Sequence, residues 1–98
     1  MKQQAKAKAL SLAYEFVTTS TRYSKNVLTT KLNMNERTLR RIRESRPVKE
    51  CTHDAAFCAL IKILNELYRK DIEQTGGSNS TKFLLMFRKI LLTEWEQI

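Results

Sequence analysis

The stretch Lys25-Asn26-Val27-Leu28-Thr29-Thr30-Lys31-Leu32-Asn33-Met34-Asn35-Glu36-Arg37-Thr38-Leu39-Arg40-Arg41-Ile42-Arg43-Glu44 decides how this chain folds. Leu28 and Leu32 are four residues apart, and Leu39 and Ile42 are three apart. Those intervals put each pair on one face of a helix. Between the pairs, Asn33-Met34-Asn35 reads as a tight turn. Asn is, after Gly, the residue that best tolerates a left-handed backbone, so Asn33 suits the end of the first helix. Ser24 and Asn35 are good N-caps, for helices over residues 25–32 and from Glu36 to about Ser45, and Glu36 sits favourably in its first turn. Pro47 lacks a backbone donor and disfavours helix at Arg46, which sets the stop. Two short helices joined by so short a turn must pack closely at a steep angle, with Met34 at the corner, which is the helix-turn-helix arrangement.

Working outward, Leu10, Ala13, Tyr14 and Val17 form one stripe of a first helix over residues 4–18. The hydroxyl run Thr18-Thr19-Ser20-Thr21 is a poor helix interior and should end it. Thr52 is the expected cap of a fourth helix, in which Phe57, Leu60, Ile61, Leu64, Leu67 and Tyr68 recur at helical spacing, and Cys58 should join its core face. Residues 76–80, Gly-Gly-Ser-Asn-Ser, form a linker. A fifth helix, from Thr81 to about Glu96, carries the stripe Leu84, Phe87, Leu91, Trp95 and Ile98. Phe83, Met86 and Ile90 widen its apolar surface beyond what one core-facing stripe needs. With two glycines, one proline and 42% hydrophobic residues, neither disorder nor an all-β fold is expected. The expected architecture is all-α, a compact five-helix domain over residues 1–98 with a helix-turn-helix formed by the second and third helices.

Charge is concentrated in the same place. The chain carries +8 in total. Residues 22–49 hold nine basic side chains (Arg22, Lys25, Lys31, Arg37, Arg40, Arg41, Arg43, Arg46 and Lys49) against Glu36 and Glu44, a local +7. A charge so localised points to a polyanionic partner. On the outer face of the second short helix lie Asn35, Arg37, Arg40 and Arg41. Arg can bond guanine at two points and Asn can do the same for adenine, so these residue types suit the DNA major groove.

At these residues the chain resembles the phage-repressor (Cro-like) helix-turn-helix family. Ala55-Ala56-Phe57-Cys58-Ala59-Leu60-Ile61-Lys62-Ile63-Leu64 is similar to that family's fourth helix, and the likeness covers about residues 10–68. It implies a five-helix domain whose reading pair is second and third. The chain has Thr29 where the family usually has Ala, Asn33 where it usually has Gly, and Arg43-Glu44-Ser45 after the reading helix where Glu-Gly is common.

Other signals are weaker. Cys51, His53 and Cys58 invite a zinc reading, but a fourth ligand and the usual paired spacing are missing, so no metal is expected. No phosphate loop, triad or carboxylate cluster suggests an enzyme, a cofactor or a small-molecule effector. Lys2, Lys6 and Lys8 suit either an arm on DNA phosphates or a solvated helix start. Residues 83–92 are too short and too charged to span a bilayer, and the first residues do not read as a signal peptide, so a cytoplasmic protein is expected.

The sequence therefore leads to sequence-specific binding of double-stranded DNA, as in a small transcriptional regulator of bacterial or mobile-element type. Asn35, Arg37, Arg40 and Arg41 would read bases. Arg22, Lys25, Lys31, Arg43, Arg46 and Lys49 would hold phosphates. Leu84, Phe87, Leu91, Trp95 and Ile98 would form a homodimer interface. The alternative is a helical protein-interaction module that uses the apolar last helix and the basic patch. Shape-selective RNA binding is a third possibility, weakened by the scatter of Tyr14, Tyr23 and Tyr68.

Overall fold

The computed structural model describes residues 2–21 and 23–98, with side chains from Gln4 onward. These residues form five helices: α1 (Lys2–Thr21), α2 (Lys25–Leu32), α3 (Glu36–Arg43), α4 (Glu50–Thr75) and α5 (Asn79–Gln97). Among the described residues there is no strand. The long helices α1 and α4 pack on each other; α3 packs on α1, α2 on α4, and α5 on both long helices. Leu10, Leu60, Leu64, Val17 and Ile42 are the largest apolar side chains wholly shut from solvent. Each comes from a stripe that the 3.6-residue period had marked. No helix among the described residues is long and apolar enough to cross a membrane.

The two short helices end by the same device. After α2, Asn33 adopts φ 53°, its N–H reaches the Thr30 carbonyl at 3.3 Å and the Met34 N–H reaches that of Thr29 at 3.1 Å. After α3, Ser45 adopts φ 60°, its N–H meets the Ile42 carbonyl at 3.1 Å and the Arg46 N–H meets that of Arg41 at 2.8 Å. Both are Schellman closures, which satisfy carbonyls the helix would leave orphaned. Helix α3 therefore stops at Arg43, two residues before the expected end, and its stop is a left-handed Ser45 rather than Pro47.

Three other boundaries differ from expectation. Helix α1 continues to Thr21, because Thr18 and Thr21 donate their hydroxyls to the helical carbonyls of Glu15 (2.9 Å) and Val17 (2.7 Å) instead of competing with the helix. Helix α4 starts at Glu50 after Lys49, with no side-chain cap, so Thr52 lies inside the helix. Helix α5 starts at Asn79 on a Ser78–Thr81 capping box. The linker shrinks to Gly76 and Gly77, at φ 71° and 113°, followed by Ser78. Asp71 accepts hydrogen bonds from the hydroxyls of Ser78 (3.0 Å) and of buried Thr81, which pins the start of α5 to α4.

Candidate nucleic-acid interface

Helix α3 owes its orientation to Leu39 and Ile42, which are 4% and 2% exposed in the core. At about 100° per residue, Arg37, Arg40 and Arg41 then fall on an arc opposite that pair. All three are exposed. Among the described residues, no carboxylate lies within ion-pair distance of them or of Arg43. Four arginines on an eight-residue helix thus face solvent with their charges uncompensated by direct contact.

Asn35 caps this helix, its side-chain oxygen accepting the Thr38 N–H at 2.8 Å. That contact uses one of the two lone pairs of the atom that a two-point bond to adenine also requires. Of the four expected base readers, Asn35 thus also serves as the helix cap, and among the described residues its amide N–H₂ makes no hydrogen bond.

The expected phosphate contacts divide. Lys25, Arg43 and Lys49 are exposed and outside any ion pair among the described residues. Lys31 is bound to Glu66 at 3.2 Å and lies 5.1 Å from the centre of the Tyr23 ring. The hydrogen bond it donates to Glu66 raises its pKa above the usual lysine value. Arg46 pairs with Glu44 at 3.2 Å. Arg22 lies outside the described residues. Lys6 is no free arm either: it pairs with Asp54 at 3.3 Å and Glu50 at 3.7 Å and stands 5.0 Å from the centre of the Trp95 ring. No protein-family model matches the chain, nor does any curated protein or solved structure.

The expected interface stripe of α5 has another role within this chain. Leu84 and Leu91 are buried. Half-buried Phe87 stacks on Phe16 with centroids 4.4 Å apart, and half-buried Trp95 stacks on Phe57 at 4.1 Å. Ile98 is half-buried. The stripe is occupied by the chain's own core, and the solvent-facing apolar side of α5 is the adjoining one. There Phe83, Met86 and Ile90 are 53%, 61% and 50% exposed.

His53, which the sequence offered only as a candidate zinc ligand, has a structural place instead. It is 1% exposed, its Nε2 accepts the Val48 N–H at 3.5 Å, and among the described residues its buried Nδ1 has no partner. Burial is the main cause of a pKa below the usual value for His; nearby Lys6 adds to it, while Asp54 and Glu50 oppose it. The contact holds the segment that follows α3. Its one sequence signal was the interval from His53 to Ala56, Phe57 and Leu60, which places it on the buried stripe. Cys58, expected in the core, is exposed, as is Cys51. Cys58 lies one residue past that stripe, about 100° around the helix. Among the described residues no group of three or more His, Cys, Asp or Glu side chains stands ready to hold a metal ion.

Proposed function

We propose that this protein binds double-stranded DNA in a sequence-specific manner, with α2 and α3 acting as a helix-turn-helix and α3 entering the major groove. The observation that carries this reading is the outward arc of Arg37, Arg40 and Arg41, exposed and, among the described residues, outside any ion pair. Arginines kept for a fold would be paired or covered. Arginines left uncompensated on one rigid helix suit base edges and phosphates. Lys25, Arg43 and Lys49 supply the surrounding sequence-independent attraction. The role that fits is that of a small transcriptional regulator.

One reading helix covers few base pairs, so a genomic address calls for two copies, placed about 34 Å apart along the duplex. A two-fold pair through the Phe83, Met86 and Ile90 face of α5 supplies the second copy. The same exposed face favours the second reading, a protein-interaction module, if the partner is a different chain.

Selection of binding sites from random duplexes at two salt concentrations tests the proposal. A convergent site is expected, with affinity falling steeply as salt rises. About four to six phosphate contacts give a log–log slope of roughly −4 to −5. Failure to enrich any duplex, or binding indifferent to salt, would refute it.

A further inference from the structure

A narrow cleft opens beside the outward arginines, lined by Tyr14 of α1, Lys25 of α2, and Glu36, Leu39, Arg40 and Arg43 of α3. Three of its side chains are cationic and one is a carboxylate. Tyr14 is 7% exposed as a whole residue, its hydroxyl opens on this cleft, and among the described residues that hydroxyl makes no hydrogen bond within the protein. The Ser11 hydroxyl donates to the Arg43 carbonyl at 2.8 Å, which fixes the end of α3 against α1 one turn from Tyr14. A hydroxyl, an ammonium and two guanidinium groups thus line one small cleft, together with the Glu36 carboxylate.

We propose that this cleft is a seat for one phosphate oxyanion, with the Tyr14 hydroxyl and the Arg43 guanidinium as its fixed donors and Lys25 and Arg40 closing over it. Burial raises the Tyr14 pKa against the opposing pull of Arg43, so the phenol keeps its proton and donates. The chemistry asked for is a tetrahedral oxyanion with several oxygens accepting at once. Resting on the DNA-binding reading, the occupant is a backbone phosphodiester flanking the base pairs under α3. The seat then divides the arginines: Arg37 and Arg41 face the bases, Arg43 holds the backbone, and Arg40 borders both. A seat that grips α1 and α3 together also fixes the angle at which α3 enters the groove.

Two arms test this. In the first, inorganic phosphate is titrated at constant ionic strength against chloride, and the Tyr14 ring and Arg43 Nε–H resonances are followed by NMR. Saturable shifts are expected in the wild type and none in Arg43→Gln. In the second, Tyr14→Phe, which removes one oxygen and leaves packing intact, is measured on the selected duplex and a scrambled one. A loss of about 3- to 10-fold on both is expected, with their ratio unchanged. If phosphate shifts nothing that chloride does not, the seat does not exist. If phosphate binds but Tyr14→Phe leaves duplex affinity intact, the assignment to the DNA backbone is wrong. If wild type binds phosphate and no duplex, the DNA reading fails while the oxyanion seat stands, its occupant a free phosphate ester.

Discussion

Phe57 and Trp95 stack with ring centroids 4.1 Å apart and planes 5° from parallel, joining α4 to the far end of α5. The Lys6 ammonium stands over the same indole, 5.0 Å from its centre. Trp95 is thus a keystone between three helices. Trp95→Ala should destabilise the fold by about 2–4 kcal/mol, seen as a lower urea midpoint by circular dichroism. A loss under about 0.5 kcal/mol would mean that α5 is only loosely attached.

The arginine arc makes a different demand. Arg37→Ala and Arg41→Ala should leave thermal stability within about 0.5 kcal/mol of wild type, since both are exposed and unpaired. At least one should cost about 1–3 kcal/mol on the selected duplex and less on scrambled DNA. Lys49→Ala should weaken both duplexes alike. Equal losses on both duplexes for all three variants would show that α3 does not read bases.

Ser45 holds a left-handed backbone at φ 60° without being glycine. The strain is local, on the order of 1 kcal/mol, and glycine would relieve it at some cost in unfolded-state entropy. Ser45→Gly should therefore raise the unfolding free energy by up to about 1 kcal/mol. Ser45→Val, β-branched and poorly suited to this region, should lower it. Chemical denaturation of the three proteins in parallel checks the order Gly, Ser, Val.

His53 predicts an acid limit. Its pKa in the fold lies below the unfolded value of about 6.5, so the folded protein prefers the neutral ring. The resulting stability is complete above about pH 6.5 and is lost as pH falls from there through the folded pKa. Unfolding free energy should decline over that range at no more than about 1.4 kcal/mol per pH unit for the one proton involved. His53→Gln should flatten this part of the profile even if the variant is less stable overall. A wild-type profile already flat between pH 7 and 5 would count against the assignment.

For assembly, Met86→Glu and Ile90→Glu place charges on the exposed face of α5 without touching Leu84 or Leu91. Wild type should sediment as a dimer at micromolar concentration, and the double variant as a folded monomer. A monomeric wild type, free and on DNA, would remove the pairing.

How legible was this fold in the sequence? Helix α2 and the start of α3 were readable to the residue, since Ser24, Asn33 and Asn35 each signal a boundary through chemistry that acts locally. The end of α3 was not, because Ser45 carries no sign that it will turn left-handed; only the closing hydrogen bonds impose it. The start of α4 lacked any capping side chain, so nothing marked Glu50. The four arginines of α3 could be placed from spacing alone. Which cations were already taken could not, since Lys31 meets Glu66 and Lys6 meets Asp54 across more than thirty residues of chain. The width of the apolar surface of α5 was visible. Which side would face inward depended on Phe16 and Phe57, two residues from other helices.

The placement of Leu84, Leu91 and Trp95 in the shared core also bears on how the protein is made. The basic segment is synthesised well before the residues that complete the structure presenting it. At about 5–20 residues per second, the interval between Arg43 and Trp95 lasts on the order of 3 to 10 s. During that time the nascent chain carries its cationic segment beside unfinished apolar stripes. A ribosome that stalls before Leu84 therefore leaves a polycation whose apolar stripes on α1 and α4 lack the cover that α5 provides.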